Sequence, residues 1–115
     1  LAQLRAAAAR AARDAARAAL RELGKRPQVY AKVSNVLRRK APTSAGFYRA
    51  ALDDVWDAFG QDRVIYGSNW PVSDLVAPYE AVLNVVREYF AGKGREASEK
   101  YFFANSKAAY RWVER

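Results

Sequence analysis

The segment from residue 63 to 74, Arg-Val-Ile-Tyr-Gly-Ser-Asn-Trp-Pro-Val-Ser-Asp, constrains this chain more than any other. Val64, Ile65 and Tyr66 favour extended structure and run directly into Gly67, so the segment reads as a buried strand that delivers Asn69 to a site beyond its C-terminal end. Gly67 permits close approach of a neighbour, and Pro71 stiffens the exit. The plainer alternative is a strand followed by an ordinary turn, with Trp70 serving as packing. Loops in such places carry function often enough to keep both readings open.

The residues before this segment define the frame around it. Val29, Ala31 and Val33 alternate with Tyr30, Lys32 and Ser34, a period of two that predicts a strand over residues 28–36 with two chemically different faces. Arg38, Arg39, Lys40, Pro42 and Thr43 form a basic loop, and Thr43 or Ser44 is placed to cap a helix beginning at Ala45. Tyr48, Leu52, Val55, Trp56 and Phe59 fall at helical spacing, which predicts that helix to be amphipathic and to run over residues 45–59. With a second strand over residues 63–66, the order is strand, helix, strand. Such a unit implies parallel strands, and function collects beyond their C-terminal ends, here residues 34–37 and 67–74.

Pro78 opens a further helix, whose stripe of Tyr79, Val82, Leu83, Val86, Tyr89 and Phe90 stops at Gly92 and Gly94. A last helical region is predicted over residues 96–113, broken near Asn105. The aromatic residues Trp56, Phe59, Tyr89 and Phe90 are expected in the core. At the other end, residues 2–23 are dominated by alanine and arginine, with Gly24 where a C-cap glycine belongs. Seven cations against two acids before Pro27 hold +5 of the net +8. Arg10, Arg13, Arg17 and Arg21 share a face, which is either a solvated surface or a contact for phosphates; no recognition fold or stacking aromatic accompanies it, so specific nucleic-acid binding is not expected.

What is missing narrows the chemistry. The chain has no cysteine and no histidine, so disulfides, thiolate ligands, the commonest metal ligand and the usual proton shuttle are absent from it. No apolar run approaches the length of a membrane span, and there is no signal-peptide pattern, so a soluble, cytoplasmic protein without membrane partners is expected. The sequence starts at Leu1 and contains no methionine, so a truncation or chosen boundary is expected.

From about residue 27 to 112 the chain resembles the amidohydrolase-related (amidohydrolase 2) family of TIM-barrel hydrolases, lactonases and decarboxylases. Val29-Tyr-Ala-Lys-Val-Ser34 looks like the seventh barrel strand, and Ala51-Leu-Asp-Asp-Val-Trp-Asp-Ala-Phe-Gly-Gln-Asp-Arg63 like the helix and turn after it. Val64 to Val72 is similar to the eighth strand with its Gly-Ser-Asp-Trp-Pro-like motif, and Asn105-Ser-Lys-Ala-Ala-Tyr110 to the closing helix. The resemblance implies an α/β fold, a partial TIM (β/α)8 barrel holding roughly the last two β/α units plus flanking helices. It divides the chain into an Ala/Arg-rich helix at 1–26, outside the resemblance, and a barrel portion at 27–115.

The resemblance also implies a hydrolase acting on a small carboxylate, lactone or amide through activated water. A divalent metal such as zinc would belong to the full-length parent, on histidines of earlier strands; this chain alone supports none. The family usually has an aspartate, a metal ligand or proton acceptor, where this chain has Asn69, and a neutral amide cannot act as a general base. Asn69 is therefore assigned to orienting substrate or water, and Lys32, Ser34, Ser68 and Trp70 to binding substrate. Lys32 either meets an anionic substrate group or extends along a strand edge into solvent. Asp74 either adds a carboxylate or caps the loop. A barrel needs about 250 residues, and two strands alone leave their edges unpaired. The isolated chain is thus expected to be marginal, to self-associate, or to depend on a missing barrel half. The alternative function is a non-catalytic truncated or designed fragment, or a basic helical interaction module.

Overall fold

The computed structural model describes residues 1–112. In chain order it contains α1 (Ala2–Gly24), β1 (Ala31–Val33), α2 (Ala45–Phe59), β2 (Val64–Tyr66), a 3-10 turn (Val72–Leu75), α3 (Tyr79–Lys93), α4 (Arg95–Glu99), a π-helical stretch (Lys100–Ala104) and α5 (Asn105–Ala109). The strands pair in parallel, with Ala31 opposite Val64, Lys32 opposite Ile65 and Val33 opposite Tyr66. The strand, helix, strand order and the parallel pairing match the reading from the sequence.

Because side chains alternate along a strand, this register gives the sheet two unlike faces. Ala31, Val33, Val64 and Tyr66 share one face and pack in a core with Leu52 and Phe59 of α2, Val86 and Phe90 of α3, and Tyr101 of the π-helical stretch. Tyr101 stacks on Phe90 with ring centroids 3.7 Å apart. On the opposite face stand Lys32 and Ile65, with Ser34 and Gly67 one step beyond. Ile65 is only 4% exposed, yet it stands apart from the helix-side core.

The predicted strand over 28–36 is cut to three residues, for reasons at both its ends. Val29 N–H turns back to the Arg26 carbonyl, and the Arg63 guanidinium takes the carbonyls of Arg26 and Val29, so this stretch is held as a turn. At the other end Asn35 adopts φ 55°, a left-handed conformation that stops extension. Gly24 is also placed differently from expectation. The helix includes it and is capped by Lys25 in a right-handed conformation. Its lack of a side chain serves helix crossing: a Cβ there would meet the Ala58 carbonyl oxygen of α2 at 2.1 Å.

Along α1 no residue is buried, and only Leu20 and Gly24 are partly covered. Arg17 reaches Asp54 of α2 at 3.1 Å, so the helix is attached through its C-terminal part. The predicted helix over 96–113 instead comprises α4, the π-helical stretch and α5, which ends at Ala109; Val113 lies outside the described residues. Asn105 explains the interruption expected there. It is buried, and its amide donates to the carbonyls of Gln61 and Val64 at 2.6 and 2.9 Å, tying the helix start to β2.

Candidate functional site

At the C-terminal ends of the strands, the missing side chain of Gly67 sets the packing. A Cβ on Gly67 would lie 2.6 Å from Lys32 Cε and 3.0 Å from Ser34 Cβ. Glycine here lets the lysine stem and the serine cross directly over the neighbouring strand, while Gly67 N–H holds the Val33 carbonyl at 3.3 Å. Lys32, Ser34 and Gly67 are thereby brought together on the sheet face turned away from α2 and α3. Lys32 has no ion-pair partner among the described residues.

Immediately beyond, Asn69 has φ 57°, a conformation that asparagine tolerates better than most residues. The bond from Trp70 to Pro71 is cis. Ser68 Oγ accepts the Trp70 N–H at 3.1 Å, and the Asn69 carbonyl accepts the Ser73 N–H at 2.9 Å. The half-buried Asn69 thus sits in a loop fastened on both sides. Its side chain is uncharged, and no hydrogen bond of its own engages it among the described residues. Trp70 is 59% exposed and donates its indole N–H to Asp74 at 3.1 Å. That contact fastens Asp74 within the loop, and the 3-10 turn that holds it has no side-chain cap hydrogen bond among the described residues.

The predicted residues therefore fall into two groups. Lys32 and Ser34 adjoin Gly67 on the sheet face; Ser68, Asn69 and Trp70 form the turn above it, with the Ser68 hydroxyl already engaged by backbone. Sequence reasoning passed over three neighbours. Asn35 ends β1 in the same left-handed conformation as Asn69 at the end of β2. Ser73 is 3% exposed, and its hydroxyl has no hydrogen-bond partner among the described residues. Tyr48 donates to the Pro42 carbonyl at 2.7 Å and accepts the Arg38 N–H at 3.1 Å, anchoring the basic loop. An asparagine at the end of each strand is a signal that could have flagged Asn35; nothing in the sequence marks Ser73.

On the helix side of β2, Tyr66 Oη lies 3.5 Å from Tyr79 Oη. Burial and that contact push the Tyr66 phenol up to about 12, so it stays neutral at physiological pH. Among the described residues, no group of three or more His, Cys, Asp or Glu side chains is positioned to hold a metal ion. Two open clefts, of about 310 and 420 Å³, are lined by none of Lys32, Ser34, Ser68, Asn69 and Trp70. One is lined by Gly24, Phe59 and Arg63 at the N-terminal end of β2, the other by Phe102 and Phe103.

Parallel β/α structure with its polar loops at the strands' C-terminal ends defines an α/β protein of the β/α-repeat class. The chain belongs to the amidohydrolase family, whose model matches residues 4–112 and so takes in most of α1 as well as the strands. It is 37% identical over 79 residues to an L-fucono-1,5-lactonase of Burkholderia multivorans, covering 64% of this chain and 27% of the lactonase. A zinc-bound amidohydrolase from Burkholderia multivorans superposes with a TM-score of 0.77 at 29% identity, over 84% of this chain and 37% of that one. An amidohydrolase 2 from Bifidobacterium longum subsp. infantis gives 0.66 at 28% identity, over 84% and 34%. The chain thus spans about a third of the length of the relatives it matches. No helix of the described residues is long and apolar enough to cross a membrane.

Proposed function

We propose that residues 27–115 supply the last two β/α units of a TIM-barrel hydrolase, with β1 and β2 as its seventh and eighth strands and the helix over 1–26 flanking them. The parent enzyme acts on a small carboxylate, lactone or amide through activated water. Asn69 orients substrate or water, Lys32 and Ser34 contact substrate from the barrel face, and Ser68 and Trp70 shape the rim. The observation that carries this reading is the placement of Asn69: left-handed, fastened through its backbone carbonyl, and two residues beyond Gly67, over which Lys32 and Ser34 pack. An amide both donates and accepts, which suits it to fix a carbonyl or a water.

The donors at this end are an amide and hydroxyls, whereas zinc takes imidazole, thiolate or carboxylate ligands. These residues do not fit a metal site of their own. Ligands for a divalent ion, and the proton acceptor that Asn69 cannot be, belong to other strands of the parent. The asparagine also favours a second reading, a chain that keeps the fold without the reaction. Turnover of a panel of lactones and amides separates them, measured on protein in which this chain is extended by its upstream coding sequence. Asn69→Ala is expected to lower kcat by about 10²-fold, the scale of a lost transition-state hydrogen bond. No turnover in the unsubstituted protein would support the non-catalytic reading, and turnover unchanged by Asn69→Ala would overturn the role given to Asn69.

A further inference from the structure

The loop joining β1 to α2 leaves the same end of the sheet as Asn69 and carries three consecutive exposed cations, Arg38, Arg39 and Lys40. Every charged residue between Glu22 and Asp53 is lysine or arginine, so no nearby acid in the sequence answers them. Among the described residues none of the three enters an ion pair. The carboxylate in the segment after β2, Asp74, is engaged by the Trp70 indole. This contrasts with α1, whose Arg17 is paired with Asp54.

Nor is the loop a loose tether. Leu37 is buried beneath it, the Tyr48 hydroxyl bridges Arg38 N–H and the Pro42 carbonyl, and Ala41 N–H returns to the Arg38 carbonyl at 3.3 Å. Lys40 is held at φ 59°, a conformation lysine adopts rarely. Outliers of this kind persist where surrounding structure fixes them, and they cluster at ligand-binding segments. Three like charges on successive residues repel one another, and a bound anion relieves that repulsion. Two adjacent guanidinium forks match the paired oxygens of a carboxylate or phosphate.

We propose that Arg38, Arg39 and Lys40, on the loop that leaves the same strand end as Lys32, form an oxyanion subsite, so that the substrate class is a small molecule bearing a carboxylate or phosphate group. The inference rests on the reading of this strand end as the substrate site and deepens it: an anionic substrate is selected over a neutral lactone or amide. These residues set specificity and take no part in bond breaking.

Inorganic phosphate and malonate, titrated separately into isotope-labelled protein in which this chain is extended by its upstream coding sequence, test this by amide chemical shifts. Saturable shifts are expected at residues 35–44 and 67–70 for at least one anion, and the stronger of the two identifies the group. Arg38→Gln/Arg39→Gln/Lys40→Gln should weaken binding about tenfold or more, while Arg10→Gln/Arg13→Gln/Arg21→Gln, which removes equal charge from α1, should change it less than about twofold. Arg38→Lys/Arg39→Lys keeps the charge but removes the forks, and should cost about threefold. Equal weakening by the two triple variants, shifts centred on α1, or no saturable shift overturns the proposal. Such a failure leaves the Asn69 reading standing, because turnover by Asn69→Ala protein is measured independently of anion binding.

Discussion

The two ends of the short sheet differ in how completely their polar groups are used. At the N-terminal end, the Arg63 guanidinium donates to the carbonyls of Gly24, Arg26 and Val29 at 2.6, 2.7 and 3.1 Å, and Asn105 donates to those of Gln61 and Val64. Lys100 pairs with Asp62 across the same end at 2.6 Å. At the C-terminal end Asn35, Lys40 and Asn69 sit in left-handed conformations, the buried Ser73 hydroxyl lacks a partner among the described residues, and Trp70, Val72 and Leu75 are exposed. One end joins α1, α2, β2 and the closing helices; the other leaves donors and apolar surface free. In β/α barrels the bottom of the strands serves stability and the top serves function, and this division runs along the same line.

If the N-terminal end holds the fold, removing its central donor should do the greatest damage. Arg63→Ala strips hydrogen bonds from three backbone carbonyls and a cation–π contact on Phe59. A loss of about 3–4 kcal/mol in urea unfolding is expected. A loss below about 1 kcal/mol would show that water replaces the guanidinium, and the contrast between the ends would fail. Gly24→Ala comes next. Its new methyl group meets backbone, which cannot swing aside, so α1 must lift from α2 at an expected cost of about 2–3 kcal/mol. The same substitution at Gly46, where nothing lies within 4 Å of the added Cβ, should be neutral or stabilising.

Much of this contrast was legible in the sequence, and the remainder shows what period and propensity cannot carry. Alternation from Val29 to Ser34 and the apolar run at Val64 located both strands, and the spacing of Leu52, Val55 and Phe59 located α2. The site loop was legible because Gly67, Trp70 and Pro71 are unusual in their order. What escaped depends on partners distant in the chain. The cut in β1 comes from the Arg63 side chain, Gly24 is explained by a carbonyl of another helix, and the π-helical stretch places Tyr101 against Phe90. The roles of Lys32, Ser34, Ser68, Asn69 and Trp70 rest on adjacency and conformation, which only the proposed measurements convert into function.

A smaller effect is expected where one group links the middle of the sheet to the closing helix. The Tyr101 hydroxyl donates to the Val33 carbonyl at 3.0 Å, but that carbonyl also accepts Gly67 N–H. Tyr101→Phe therefore leaves no orphaned acceptor, and about 1 kcal/mol should be lost. The same group governs behaviour in alkali. Burial holds the Tyr101 phenol above its ordinary range, burial and then Asp53 raise Tyr89, and Tyr66 is pushed up to about 12. The folded chain thus keeps protons that the unfolded chain releases from about pH 10 upward. Stability from these groups is complete below about pH 10 and is lost as pH rises through the folded values. Tyr101→Phe should flatten that decline, read as the shift in urea midpoint between about pH 8 and about pH 11; an unchanged slope would place the titrating group elsewhere.

The smallest effect has the opposite sign and tests the C-terminal end directly. Ser73 keeps its backbone bonds, accepting Val76 and Ala77 N–H and donating to the Asn69 carbonyl, while its hydroxyl lacks a partner among the described residues. A buried, unpaired hydroxyl is a cost that alanine removes without disturbing those bonds. Ser73→Ala is expected to leave stability unchanged or raise it by up to about 1 kcal/mol, measured by the same urea titration. A loss of about 1 kcal/mol or more would mean that the hydroxyl is satisfied, by an ordered water or by the side-chain amide of Asn69 four residues earlier. In that event the C-terminal end would be as fully bonded as the other, and Asn69 would be held by its loop rather than left available to a substrate.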